Sequence, residues 1–191
     1  MNCTSFLIFF QQSILDVGSF FYGDYVHLVA EYCWRTLMSK ILDRVITYLK
    51  SMQLTYEIRP VEGKFDRIMV PYTISDEDLE FNVFIDVSKQ FLRFWVLIMP
   101  HEVVQSKKRR EDLYRELLLA NGKLAEIKYF VTEKGDVGIV GHEGVKVLTI
   151  NGFREEFRAL PYGIIHFLTV IAKKLGLHFK FPDSGDHSIY S

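Results

Sequence analysis

Leu79-Glu80-Phe81-Asn82-Val83-Phe84-Ile85-Asp86-Val87, then Ser88-Lys89-Gln90, then Phe91-Leu92-Arg93-Phe94-Trp95-Val96-Leu97-Ile98-Met99 is the stretch that decides the fold. Side chains alternate across a strand, so Phe81, Val83, Ile85 and Val87 share one face, and Leu92, Phe94, Val96 and Ile98 share a face of the next strand. A parallel crossover takes about a dozen residues, and three residues link these strands, so the pair is an antiparallel hairpin. Two wholly apolar rows side by side require a covering layer. The opposite rows read differently: Asn82, Phe84 and Asp86 on one strand, and Arg93, Trp95, Leu97 and Met99 on the other, mix rings with charges.

Working outward, residues 55–59 and 68–74 carry the same period of two and precede the hairpin as further strands. Before them, Ile41, Leu42, Val45, Ile46, Leu49 and Met52 recur at helical spacing. After the hairpin, Ser106 is placed to cap a helix through Ala120, with Leu113, Leu117 and Leu118 on one side and Asn121-Gly122 as a left-handed stop. Residues 126–132 alternate again and put Glu126, Lys128, Phe130 and Thr132 on one row. Residues 133–136 turn, 137–141 return, and 145–150 supply a further strand. Residues 153–175 are helical in pattern; Pro161 is expected to divide them, with the second helix, 162–175, closed by Gly176. The sum is an α+β domain, an antiparallel sheet with helices packed on one face, in the order α-βββ(β)-α-ββ(β)-α.

The chain has 191 residues, 49% hydrophobic and 25% charged, with 16 Phe, 10 Tyr and 2 Trp, ample for one core without a metal or disulfide staple. A formal charge of -1 excludes a general polyanion binder, so no nucleic-acid partner is expected. Residues 1–37 differ from the rest: no Lys, a single Arg (Arg35), both cysteines (Cys3, Cys33) and nine aromatics. They lack the basic start of a signal peptide, and Gln11, Gln12, Asp16, Gly18 and Gly23 interrupt every window long enough for a membrane span. They read as an N-terminal extension, either sequence upstream of the true start at Met38 or a loosely attached piece for a membrane surface or partner. Residues 38–181 form the domain, and 182–191, polar and with little to bury, form a flexible tail. Cysteines 30 residues apart with no histidine pair suit a reducing cytoplasm.

No local motif carries catalysis. The run Lys107-Lys108-Arg109-Arg110 opens a helix, where the dipole opposes positive charge, and Glu111, Asp112 and Glu116 balance it as a solvated face. Gly135, Gly138, Gly141 and Gly144 flank hairpin strands rather than a phosphate-binding helix start. His142-Glu143 lacks the second histidine of a zinc helix, and His101, His166 and His178 stand alone in sequence. Neither catalytic, cofactor-binding nor metal-ligating residues are therefore assigned, and no cofactor is expected.

The informative feature is the mixed outer row. Phe84, Trp95, Leu97 and Phe130 are expected to gather into a patch for a partner, since interface cores favour aromatics ringed by polar groups. Cover by the extension or tail is the alternative. Trp95→Asp is accordingly expected to leave the fold intact while altering assembly.

The run Glu111-Asp112-Leu113-Tyr114-Arg115-Glu116-Leu117-Leu118-Leu119-Ala120-Asn121, followed by Lys128-Tyr129-Phe130 and the turn Lys134-Gly135-Asp136-Val137, resembles the YbjN-like family, whose fold is similar to that of class I type III secretion chaperones. The resemblance implies a small cytoplasmic, often homodimeric, protein-binding module, and it transfers no catalytic residue. The function expected is thus a chaperone-like or adaptor module that binds a polypeptide or itself through a sheet face. The alternative is a small-molecule- or nucleotide-responsive regulator or enzyme whose site is assembled from distant residues.

Overall fold

A computed structural model describes residues 39–61, 65–74 and 79–178. The N-terminal extension and the tail lie outside the described residues. Helix α1 spans 39–51. It is followed by strands β1 (Glu57–Val61), β2 (Phe65–Ile74), β3 (Leu79–Val87) and β4 (Phe91–Met99), helix α2 (Lys107–Asn121), strands β5 (Lys128–Val131) and β6 (Val137–Gly144), and helix α3 (Ile150–His166). The six strands form one sheet in the order β1-β2-β3-β4-β6-β5, with every neighbouring pair antiparallel. The fold class is the α+β arrangement that the alternation demands.

Ser88 builds the β3–β4 turn: its hydroxyl donates to the Phe91 carbonyl at 2.6 Å and accepts from the Phe91 N–H at 3.1 Å. The inner rows then face the helices. Phe153 of α3 is fully buried and lies edge-on to Phe94 of β4, with ring centroids 5.1 Å apart, and to Tyr48 of α1 at 5.6 Å. Ile41, Val45 and Leu49 of α1, Leu113 and Leu117 of α2, and Phe157, Leu160 and Ile164 of α3 complete the same core.

Four local expectations are corrected. Pro161 does not divide the last helix: α3 runs through it and continues as a wider π-type stretch, Phe167–Ala172, and a last turn, Lys173–Leu175. A mid-helix proline costs about 3 kcal/mol, but Phe153, Phe157, Leu160, Ile164 and Phe167 on one side gain more by staying buried together. Residues 145–150 do not add a strand. Val145 N–H donates to the Gln90 carbonyl at 3.0 Å, the chain turns, and Thr149 caps α3 by accepting from the Gly152 N–H at 3.0 Å. Ser106 occupies the N-cap position of α2 without a side-chain capping bond. Gly122 is right-handed, at φ -73°, because Asn121 is held elsewhere: its side-chain amide donates to the Tyr129 carbonyl at 2.9 Å and accepts from the Tyr129 N–H at 2.7 Å, tying α2 to β5. Gly176, at φ 60°, does close the final turn in the left-handed conformation.

Candidate protein-binding face

The outer rows are set by register. Arg67 of β2 stands opposite Asp86 of β3, Asp86 opposite Arg93 of β4, and Arg93 opposite His142 of β6. One step along lie Met69, Phe84, Trp95 and Val140, and beyond them Leu97 faces Gly138, which faces Phe130. The four sequence-derived residues are therefore brought together. Phe84, Trp95 and Leu97 form a hydrophobic cluster separate from the main core, with Met69, Phe130 and Val140 packed against it. Phe84 and Trp95 stack with centroids 4.6 Å apart. Phe130 reaches the cluster because Gly138 has no side chain; a Cβ there would come within 2.4 Å of its ring.

Met99, expected on this outer row, belongs to the main core instead. The pairing of β4 with β6 slips between Leu97 and Met99, so Leu97 opposes Gly138 while Met99 opposes Val137. The extra residue turns Met99 to the helix side. Glu126 and Thr132 lie just outside β5 and do not extend its row.

The cluster is not a set of exposed rings. Phe84 is 1% exposed, Leu97 4% and Trp95 8%, so they make a floor, while Met69, Phe130 and Val140 are half-buried. Part of the shielding is cationic: the Arg67 guanidinium lies 4.9 Å from the Trp95 ring centroid and 5.8 Å from that of Phe84, and that of Arg93 lies 5.7 Å from Trp95. Both cations are held by the buried Asp86 carboxylate. Oδ1 accepts from Arg67 Nε at 2.8 Å, and Oδ2 accepts from Trp95 Nε1 and Arg93 Nε, each at 3.0 Å, and from a second Arg93 nitrogen. Asp86 thus fixes the tilt of Trp95 and the position of the Arg67 cover together. Because Trp95 belongs to this network, Trp95→Asp would set a second carboxylate beside Asp86, and the expectation that it leaves folding untouched is withdrawn.

Arg67 is the residue of this face that sequence reading missed, along with its pairing to Asp86, which that reading already sets on the outer row. The signal was present in a polar pair on otherwise apolar strands, but without register nothing joins position 67 to position 86. The isolated histidines find separate surroundings. His142 lies near Arg93; burial, then that charge, holds its pKa below the usual imidazole value. His166 accepts from or donates to the buried Tyr129 hydroxyl at 2.9 Å, and burial followed by Lys123 lowers its pKa.

On the inner side, Glu156 of α3 lies over Gly141 of β6, where a Cβ would approach its Oε2 within 2.5 Å. That oxygen is buried and has no hydrogen-bond partner among the described residues. Burial, reinforced by Glu143, Glu126 and Glu155, pushes the carboxyl up to about 7.

No protein-family model matches the chain, and no curated protein matches it. Among solved structures, the crystal structure of YbjN from E. coli matches with a TM-score of 0.51 and 12% sequence identity, covering 73% of this chain and 95% of that one. The chain has a YbjN-like fold. The likeness spans nearly all of YbjN and concerns architecture alone; YbjN is described there as "a putative transcription regulator". Within this YbjN-like fold no helix of the described residues is long and apolar enough to cross a membrane.

Proposed function

We propose that the protein is a cytoplasmic, non-catalytic adaptor or chaperone-like module that binds a polypeptide through the outer face of its sheet. The observation that carries this reading is the second hydrophobic cluster on the face opposite α1, α2 and α3, built around Phe84, Trp95 and Leu97 and overlaid by Arg67 and Arg93, since aromatic and arginine side chains are enriched in interface cores. Phe84, Trp95 and Leu97 are its preorganised floor, and Phe130, with Met69 and Val140, is the rim a partner meets first. Arg67, Arg93 and Lys128 lend the rim positive charge. A formal charge of -1 sets up no long-range repulsion between copies, so a homodimer is the first assembly to test.

A regulatory role of the kind named for YbjN would run through the same face, by contact with another polypeptide. The exposed basic start of α2, Lys107 to Arg110, is followed by exposed Glu111 and Asp112, which favours a solvated helix end over a nucleic-acid contact.

Sedimentation of the full chain tests the reading. The wild type is expected to associate with rising concentration. Phe130→Glu, which puts a charge on the half-buried rim, is expected to reduce that association at least tenfold while its melting temperature stays close to wild type. Identical sedimentation of two well-folded proteins would remove support for self-association through this face.

A further inference from the structure

We propose that His101 and Glu102 form a binding site for a borderline divalent cation of the zinc class, with Asp136 as the residue that positions the imidazole. His101 and Glu102 lie in the short 3-10 turn His101–Val103 that follows β4, and Asp136 lies in the turn between β5 and β6. Among the described residues these three form a group whose ligand atoms come within 4.8 Å of one another.

Asp136 is buried, and its Oδ1 lies 3.0 Å from the His101 backbone N–H and 2.9 Å from Nδ1. Its Oδ2 accepts from the Thr132 hydroxyl at 3.1 Å. Both oxygens of this carboxylate are thus already placed as acceptors, one toward the His101 backbone N–H and the other toward the Thr132 hydroxyl. An ionised carboxylate only accepts, so Nδ1 carries the hydrogen and, in the neutral ring, Nε2 presents its lone pair. That lone pair faces another acceptor: Nε2 lies 3.3 Å from Glu102 Oε1. A metal ion seated between these two acceptors would be bound by both.

The spacing suits the metal. Nitrogen and carboxylate oxygen bind Zn²⁺ at about 2.0–2.2 Å, and two ligands at that radius on a tetrahedron stand about 3.3 Å apart. A carboxylate accepting the far N–H of a ligating histidine is the usual outer support of such sites, fixing the tautomer and the ring orientation. Imidazole as a ligand favours zinc, nickel, cobalt or copper over magnesium or calcium. Both side chains stay open to solvent, His101 at 40% and Glu102 at 66%, so water fills the remaining positions. Gly135 makes the arrangement fit: its φ is +99°, and a Cβ there would stand 3.2 Å from the His101 Cβ.

The test is a titration of the untagged full chain with Zn²⁺, followed by the ring nitrogen resonances of its histidines, with Mg²⁺ in parallel. Expected is a saturable shift at His101 Nε2 with Zn²⁺ and none with Mg²⁺, lost in His101→Gln and weakened about tenfold in Glu102→Gln. Glu102 is exposed, so Glu102→Gln keeps the test open if His101→Gln fails to fold. No saturable His101 shift up to millimolar Zn²⁺, equal response to Mg²⁺, or an unchanged affinity in Glu102→Gln would each overturn the assignment.

Discussion

Asp86→Ala is expected to lower the stability of the domain by about 3 kcal/mol, the range for stripping one member from a largely buried ionic network. Three donors lose the carboxylate as an acceptor at once: Arg67 Nε, the Arg93 guanidinium and Trp95 Nε1. Their losses differ. The Arg67 side chain is 16% exposed, so water reaches it less readily than it reaches Arg93, which at 42% is partly resolvated and contributes little. For a domain of this size such a loss lowers the melting temperature by about 6–12 °C. Asp86→Asn, which retains an acceptor, should lose roughly half as much. Thermal melts of the three proteins decide the matter; an Asp86→Ala variant melting with the wild type would mean that the network does not organise this face.

The second large effect is one of pH. Glu156 has a folded-state pKa of about 7, above the ordinary value it takes in the unfolded chain. The folded state therefore binds more protons between about pH 4.5 and 7, and stability falls as pH rises through that window, levelling off above it. The side chain is only half withdrawn from solvent, so the full conversion of the shift is discounted to about 1–2 kcal/mol at pH 8. Glu156→Gln should remove this slope: the variant should be the more stable protein at pH 8 and equal to wild type near pH 4.5. Asp136 works in the opposite direction, its lowered pKa contributing stability that is lost only when acid protonates the folded-state carboxyl. Chemical denaturation across pH 4.5–8.5 reads the difference, and parallel curves for the two proteins would contradict the account of Glu156.

Both effects arise where register or tertiary contact joins distant residues, and this divides what was legible in the sequence from what was not. Strands β3 and β4 were readable to the residue because each keeps an unbroken apolar row beside a mixed one, and a three-residue link leaves a single way to pair them. The grouping of Phe84 with Trp95 and Leu97 followed from the same alternation. Their depth did not, since burial under Arg67 depends on which residue of β2 stands opposite Asp86. Met99 was misplaced by one bulge, which alternation cannot foresee. Pro161 was read as a break because its local cost is visible in sequence, whereas the burial of Phe153, Phe157 and Ile164 that outweighs it is a property of the packed core. His101 and Asp136, 35 residues apart, meet only because the β5–β6 turn folds back to the end of β4.

The central claim, that the outer sheet face engages a polypeptide, is tested most directly by asking what lies against Phe130. Replacing Phe130 by a benzophenone-bearing amino acid in the full chain and mapping the photoproducts by mass spectrometry answers it. The account predicts cross-links between position 130 and a second polypeptide, a copy of this chain first, and their loss when Asp86→Ala disorders the floor. Products joining position 130 only to residues of its own chain, in a protein that melts like the wild type, would contradict it.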